Sequence, residues 1–304
     1  MSEGSISMTA HVSAARRAVC AGVMILVAAT RANAQVSAPA TQMVDVGGRA
    51  MRVAVAGLQQ RKPGQPVVIL ETGAGETGIE PWTPVFAALA RVAPVLAYDR
   101  RGVGKSEPDN VKTTLRRTAQ SLHALLQRLS IPPPYILVGA SWGGVVTRAY
   151  FDQYAQEVAG LIFLDAVNPG RTREERARSV PPEEREAILA TPTLPSIPPD
   201  TPPGLRAEYE LVLSEMGNDF PEARSLRLPT GVPVVVVRAS PPGRQLGVIE
   251  LDETELAGLA LRSPKGLYLA AAHVGHAIHR DDPGLVVYLV EHVLRYAVTA
   301  PKAQ

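Results

Sequence analysis

The stretch that decides the fold is Tyr135-Ile136-Leu137-Val138-Gly139-Ala140-Ser141-Trp142-Gly143-Gly144. Its first four residues form an apolar run typical of a short buried β-strand, and a helix is predicted after Gly144. A Gly-x-Ser-x-Gly segment at such a junction holds the serine in a strained turn that exposes its hydroxyl. Side chains at Gly139 or Gly143 would collide across so tight a turn. The placement of the motif therefore predicts that Ser141 is a nucleophile.

Strands and helices alternate on both sides of this motif. Apolar runs predict strands at Met43–Val46, Arg49–Ala56, Val67–Leu70, Val95–Tyr98, Tyr135–Val138, Gly160–Leu164, Val234–Val237 and Gly266–Ala271. Helical spacing predicts helices at Trp82–Ala90, Thr113–Leu129 and Pro283–Val298. The first two strands form a hairpin across Gly47-Gly48. The alternation predicts an α/β fold with a mostly parallel central sheet and helices on both faces.

The segment Asn168–Thr230 interrupts this alternation. It is rich in proline and charge, contains no convincing strand, and has helical candidates at Pro182–Leu189 and Leu205–Met216. We expect it to be a helical lid inserted between core segments 43–167 and 231–300, covering one edge of the sheet. A mobile linker is the alternative. Apolar residues at helical spacing favour a packed helix instead: Leu205, Tyr209, Val212 and Leu213.

The bulk composition excludes several classes of protein. The chain has 304 residues, 46% of them hydrophobic and 20% charged, as in ordinary globular proteins. A net charge of +2 gives no electrostatic reason to expect nucleic acid or an anionic membrane as a partner. The composition thus indicates an ordinary globular protein, and it leaves the oligomeric state open.

The N-terminus has the layout of a secretory signal peptide. Arg16 and Arg17 precede the apolar stretch Ala18–Ala29, and Ala32-Asn33-Ala34 follows as a small-residue cleavage site. We expect cleavage after Ala34 and a secreted or periplasmic protein, with Sec and twin-arginine export both open. The apolar stretch is short for a bilayer, so no membrane span is expected in the mature chain. The single cysteine, Cys20, lies inside this segment, which excludes thiol chemistry from the mature protein.

Three segments, taken together, resemble the α/β-hydrolase superfamily over essentially all of Met43–Val298. They are Gly139–Gly144, Asp99–Ser106 and Gly275–Pro283, in the superfamily's order for the nucleophile, a structural loop and the histidine. The resemblance implies that His276 is the base that activates Ser141. His273 and His279 are the alternatives, and we expect His279 to pack or hydrogen-bond before the last helix. Their spacing does not suit a metal site, and no metal is expected.

The acid of the triad is harder to assign. The superfamily usually places it just after the strand Val234–Val237, where this chain has no carboxylate. Some members, including certain haloalkane dehalogenases, place it at the end of the preceding strand, where this chain has Asp165. The resemblance therefore implies Asp165, with Glu250 or Asp252 as alternatives and a turn cap as the ordinary structural role of Asp165.

Backbone N–H groups near Ser141 would form the oxyanion hole. The resemblance implies Trp142, directly after the nucleophile, and Ala74 in the loop after Val67–Leu70, although Thr72 replaces the superfamily's usual histidine. The Trp142 side chain would wall the pocket or pack beneath the lid. Gly102–Ser106 resembles the end of a phosphate-binding loop, but Asp99 stands where that motif needs glycine, so no nucleotide site is expected. Asp99 and Arg100 are expected to anchor neighbouring loops.

The function predicted is a serine hydrolase that cleaves a small-molecule carboxylic ester through an acyl-enzyme, without a cofactor. A serine in the strained turn between strand and helix argues against epoxide hydrolase or dehalogenase chemistry, since both need a carboxylate nucleophile. One alternative is an aminopeptidase that resembles proline iminopeptidases, in which a lid glutamate holds the free amine of the substrate. The candidate glutamates fit equally well on the solvent face of a helix: Glu208, Glu210 and Glu215. Another is an inactive binding protein of the same fold. Few aromatic residues suggest an aliphatic pocket.

Overall fold

The computed structural model describes residues 37–190, 195–240, 256–263, 265–272 and 274–297. The predicted signal peptide, residues 1–34, lies outside these ranges, as do His273, Glu250 and Asp252. No helix in the described ranges is long and apolar enough to cross a membrane.

Eight strands form one central sheet in the spatial order β1-β2-β4-β3-β5-β6-β7-β8. The strands are β1 Gln42–Asp45, β2 Ala50–Ala56, β3 Val67–Glu71, β4 Val95–Tyr98, β5 Tyr135–Ala140, β6 Val158–Leu164, β7 Val234–Ser240 and β8 Leu267–Ala272. The β1–β2 and β2–β4 pairs are antiparallel, whereas the strands from β4 through β8 pair in parallel. The predicted strands are all present, with ends shifted by three residues or fewer.

Nine helices have both ends inside the described ranges. They are α1 Thr83–Val92, α2 Leu115–Arg128, α3 Gly143–Tyr154, α4 Arg173–Ala177, α5 Pro182–Leu189, α6 Pro203–Gly217, α7 Pro221–Ser225, α8 Ile278–Asp281 and α9 Pro283–Tyr296. Residues 256–261 are also helical.

Helices cover both faces of the sheet, as the alternation predicts. Along β3, Val67 and Ile69 pack against the cluster that contains α2 and α3, whereas Val68 and Leu70 pack against α1 and α9. A strand covered on both faces must be apolar throughout, because neither side reaches water. This explains why the parallel strands are continuous apolar runs and not alternating ones. The structure confirms the predicted α/β-hydrolase fold class.

The insert between the core segments, residues 168–230, carries α4 to α7 and no strand among its described residues. Two of these helices, α4 and α7, were not predicted because five residues are too few to show a period. The signal for α4 was a capping box, in which Thr172 and Glu175 each accept a hydrogen bond from the other's backbone N–H. Helix α6 lies against the turn after β4, since a Cβ on Gly204 would be 2.4 Å from the Cα of Gly102.

Candidate active site

Ser141 lies at a sharp turn between β5 and α3. Its φ angle is +52°, in the left-handed region that costs a non-glycine residue on the order of 1–3 kcal/mol. A Cβ on Gly139 would be 2.6 Å from the carbonyl oxygen of Gly143, and one on Gly143 would be 2.3 Å from that of Glu71. Both glycines are therefore required by backbone contacts, and the strain is concentrated at the serine.

Asp165 and His276 follow the carboxyl ends of β6 and β8, the strands on either side of β7. Asp165 follows β6 directly, with a φ angle of +41°. The Nδ1–H of His276 donates a hydrogen bond to Oδ2 of Asp165 at 2.6 Å. On its other oxygen, Oδ1, Asp165 accepts the N–H of Ala239 at 3.1 Å and pairs with the Arg238 guanidinium at 3.1 Å. Both oxygens of this buried carboxylate are thus occupied by donors.

These contacts set the charge states of the pair. Burial by itself would raise the pKa of Asp165, but the hydrogen bond from His276 and the charge of Arg238 hold that pKa below its ordinary value. The hydrogen bond to Asp165 raises the pKa of His276 above its ordinary value of 6.5, against the effect of partial burial. Asp165 is consequently ionised at neutral pH and fixes the proton of His276 on Nδ1, which leaves Nε2 free to accept one.

Ser141 and His276 line the same cavity, which has a volume of about 180 Å³. Within the described residues, no hydrogen bond joins the Ser141 hydroxyl to His276. The imidazole is not buried, since 63% of its side chain is exposed, compared with 7% for Asp165. Nucleophile and base are often loosely placed until substrate binds, so this arrangement is compatible with proton transfer.

The alternative histidine His279 borders the same cavity, but its ring is buried. It belongs to the short helix α8, which was predicted as a loop, and its ring lies 4.5 Å from the ring of Trp82. Burial lowers the pKa of His279 to about 4, so the ring is neutral at physiological pH. It packs, as predicted. Since His273, Glu250 and Asp252 lie outside the described residues, the structure brings only Asp165 among the candidate acids to His276.

The two predicted oxyanion donors both lie beside Ser141. Ala74 borders the cavity, and a Cβ on its neighbour Gly73 would be 3.3 Å from the Ser141 Cβ. Trp142 begins the turn into α3. In the part of the chain that the structure describes, the N–H groups of Ala74 and Trp142 have no protein acceptor. The Trp142 side chain is only 2% exposed and joins the core cluster, so it packs and does not wall the cavity.

A buried charge network behind the loop after β3 was only partly predicted. Asp99 accepts the N–H groups of Gly78 and Lys105, and Arg100 contacts the loop after β3, as expected of loop anchors. Glu71 was not predicted as part of this network; its Oε1 accepts from Arg100 at 2.6 Å and its Oε2 accepts from the Tyr98 hydroxyl. The available signal was a carboxylate placed at the end of a buried strand.

The insert glutamates are not arranged as the sequence suggested. Glu208 is buried and ion-paired with Arg100, and Glu215 is buried and accepts the N–H groups of Glu222 and Ala223 at the start of α7. Their interpretation as solvent-facing residues of a helix is therefore wrong. Of the three candidate glutamates, only Glu210 is exposed. Neither buried carboxylate is available to hold a substrate amine.

The cavity is not aliphatic, contrary to prediction. Its described lining consists of small and polar residues: Gly73, Ala74, Glu76, Ala140, Ser141, His276, Ala277, His279 and Arg280. Glu76 and Arg280 form an ion pair at 3.1 Å there. The low aromatic content gave no information about which residues face the nucleophile. No cluster of three or more His, Cys, Asp or Glu that could hold a metal ion occurs among the described residues.

Comparison with known proteins finds relatives across the core. Residues 65–198 match the family described as "alpha/beta hydrolase fold". An uncharacterized protein of Bacillus subtilis, YqjL, is 24% identical over 229 residues, covering 75% of this chain and 83% of its own. A proline iminopeptidase of Heyndrickxia coagulans is 32% identical over 122 residues, but the match spans only 40% of this chain and 41% of that protein.

Solved structures extend the likeness to most of the chain. Cfl2 from Burkholderia cenocepacia superposes with a TM-score of 0.59 at 20% identity, covering 84% of this chain and 96% of its own. At that identity the likeness concerns the fold, while the substrate must be argued from the site.

Proposed function

We propose that this chain, which belongs to the α/β-hydrolase superfamily, is a serine hydrolase that cleaves carboxylic esters. The observation that carries the proposal is the 2.6 Å hydrogen bond from His276 to Asp165 beside a strained serine that borders the same cavity. A serine hydroxyl becomes nucleophilic only when a base takes its proton, and a carboxylate on the far nitrogen keeps that base in the required tautomer.

In the proposed reaction the Ser141 oxygen attacks the ester carbonyl while Nε2 of His276 takes the hydroxyl proton. The carbonyl oxygen becomes an oxyanion and accepts hydrogen bonds from the N–H groups of Ala74 and Trp142. The carbon–oxygen bond to the alcohol breaks, and the alcohol leaves with the proton from His276. Water then attacks the acyl-enzyme by the same route, releasing the carboxylic acid and restoring the serine. Asp165 stabilises the imidazolium in both halves.

The dimensions of the cavity favour a small ester. About 180 Å³ is below the 300–1,000 Å³ of typical ligand pockets, so a short acyl group fits beside Ser141 whereas a long chain must extend into solvent. In a series of nitrophenyl esters, we expect kcat/KM to be highest for acetate or butyrate and to fall for octanoate. An increase through octanoate would show that the cavity does not set the substrate size.

The decisive experiment is labelling with a fluorophosphonate, combined with ester turnover. We expect stoichiometric labelling of the wild-type protein, a burst of nitrophenol, and loss of both in Ser141→Ala. Ser214→Ala is the matched control, because Ser214 is exposed on α6 and its hydroxyl has no hydrogen bond in the described structure. Undiminished turnover in Ser141→Ala would refute the serine mechanism. A protein that neither labels nor turns over any ester would instead be a binding protein of this fold.

An aminopeptidase resembling proline iminopeptidases is the second candidate, supported by the partial match to such an enzyme. The engagement of Glu208 and Glu215 within the protein weakens it, because they were two of its three candidate amine-binding groups. Comparing proline nitroanilide with its N-acetyl form separates the candidates. A strong preference for the free amine would favour the peptidase, whereas the ester hydrolase predicts little turnover of either.

A further inference from the structure

Arg100 holds the backbone of the loop that carries Ala74. The guanidinium is 3% exposed and donates to the carbonyl oxygens of Thr72 at 2.9 Å and Gly73 at 2.8 Å. The Gly73 carbonyl and the Ala74 N–H belong to one peptide group. Because a trans peptide is planar, its C=O and N–H point in opposite directions. Holding the carbonyl on Arg100 therefore turns the Ala74 N–H away from Arg100, on the loop that borders the Ser141 cavity.

Glu208, from helix α6 of the insert, completes this arrangement. Its Oε2 accepts from Nε of Arg100 at 2.7 Å, and its Oε1 accepts from a terminal nitrogen of Arg100 at 2.8 Å. The same Oε1 also accepts the N–H of Gly75 at 3.0 Å. The peptide groups on both sides of Ala74 are thus tied to one buried ion pair.

The packing of α6 sets the reach of Glu208. Gly204, one helical turn earlier on the same face, lies so close to Gly102 that neither can carry a side chain without a backbone collision. Gly102 follows Arg100 by two residues, so the helix docks against the turn that also presents the guanidinium. The contact fixes both partners of the ion pair at one place.

We propose that Glu208 and Arg100 are positioning residues that orient the Ala74 N–H as an oxyanion donor, so that helix α6 of the insert is part of the catalytic apparatus. This inference rests on the proposed serine hydrolase function. This Glu208–Arg100 ion pair, here called the clamp, acts only on the developing oxyanion, because both side chains are buried behind the loop. Its loss therefore lowers kcat and leaves ground-state binding of the ester nearly unchanged.

Glu208→Gln tests the clamp. The amide keeps the shape of the side chain, but its NH₂ group opposes an N–H of Arg100 or of Gly75. We expect kcat to fall about 10- to 100-fold, somewhat less than the 10²- to 10³-fold loss from removing an oxyanion donor entirely. KM should stay within about threefold, as expected when only transition-state binding is lost. Glu186→Gln, an exposed glutamate of the same insert, is the control and should match the wild type.

A trifluoromethyl ketone supplies a second readout that a merely structural role would not move. Its adduct with Ser141 places an oxyanion in the hole, so its inhibition constant should rise in proportion to the loss of kcat/KM. The inhibition constant of the matching methyl ketone, which binds without forming the adduct, should not change. If Glu208 held the substrate itself, both inhibitors would bind more weakly and KM would rise. That result would overturn the proposal.

Gly204→Ala perturbs the same loop without leaving a buried charge unpaired, and it carries the test if Glu208→Gln does not fold. Its methyl group must push α6 away from Gly102, so the same selective loss of kcat is expected. A folded Glu208→Gln with wild-type kcat would overturn the clamp, and so would loss of the fold in both variants, since the contact would then serve folding alone. Failure of the serine mechanism is recognised separately, by turnover that persists in Ser141→Ala.

Discussion

Replacing Asp165 with asparagine should cost far more activity than removing one charge. In the wild type, Oδ1 of Asp165 faces two donors, the Ala239 N–H and the Arg238 guanidinium. An asparagine in this position turns its carbonyl oxygen towards those donors, and its NH₂ group then faces Nδ1 of His276. The imidazole must accept that hydrogen bond on Nδ1, so its proton moves to Nε2. That tautomer cannot take the proton of Ser141.

The magnitude follows from two contributions. Imidazolium and carboxylate charge centres about 4 Å apart attract by about 4 kcal/mol at an effective dielectric of 20, and solvent at the exposed His276 reduces this to about 2 kcal/mol. That accounts for roughly a 30-fold loss. The inverted tautomer adds the remainder, since the equivalent change in a serine protease costs about 10⁴ in kcat. We therefore expect kcat to fall by about 10³- to 10⁴-fold, with KM nearly unchanged.

The assay is nitrophenyl acetate hydrolysis, normalised to active sites by fluorophosphonate labelling. Asp200→Asn is the matched control, because Asp200 is exposed in the insert and no contact of its carboxylate is described. A kcat for Asp165→Asn above a tenth of the wild-type value would refute the reasoning. If Glu250→Gln or Asp252→Asn produced the large loss instead, the triad acid would lie in the segment after β7.

Three further results are expected. Because the pKa of His276 is raised and only the neutral ring acts as a base, kcat/KM should decline as pH falls, with a midpoint above 6.5; a midpoint below 6 would contradict this assignment. The positive charge of Arg238 lowers the pKa of His276, so Arg238→Met should move that midpoint to higher pH. A shift to lower pH would show that the charge of Arg238 does not lower this pKa. Gly143→Ala should lower stability by about 3 kcal/mol, roughly 6–12 °C in Tm by calorimetry, because its Cβ meets a carbonyl oxygen at 2.3 Å. Gly258→Ala, in open space within residues 256–261, should be neutral or stabilising by up to about 1 kcal/mol, and an equal loss in both variants would contradict the steric argument.

The fold was predictable because its signals are local. A buried parallel strand such as β5 is an apolar run, and a helix such as α2 shows its period over 14 residues. The short helices α4, α7 and α8 fall below that length. Their formation depends on capping groups and on packing against the core, neither of which hydrophobic periodicity detects.

The site was predictable only where a local sequence motif marks it. Ser141 is marked by the glycines around it, but the contact between Asp165 and His276 joins residues 111 positions apart and depends on strand order. Glu208 illustrates the same limit, since its partner Arg100 lies 108 residues away. A glutamate on a helix is ordinarily solvent-exposed, and only the tertiary structure reveals a buried cation that reverses this expectation.

The strand order also explains how a carboxylate that follows β6 stays ionised beside His276. Leu164 of β6 pairs with Val237 of β7, so Asp165 and Arg238, which follow them, lie side by side at the same edge of the sheet. A second carboxylate at position 238 would repel the first and raise one of the two pKa values. A cation there has the opposite effect and keeps Asp165 ionised although it is buried. His276 is therefore the group of this pair that changes its charge near neutral pH, and the acidic limb of a pH profile reports on its imidazole alone.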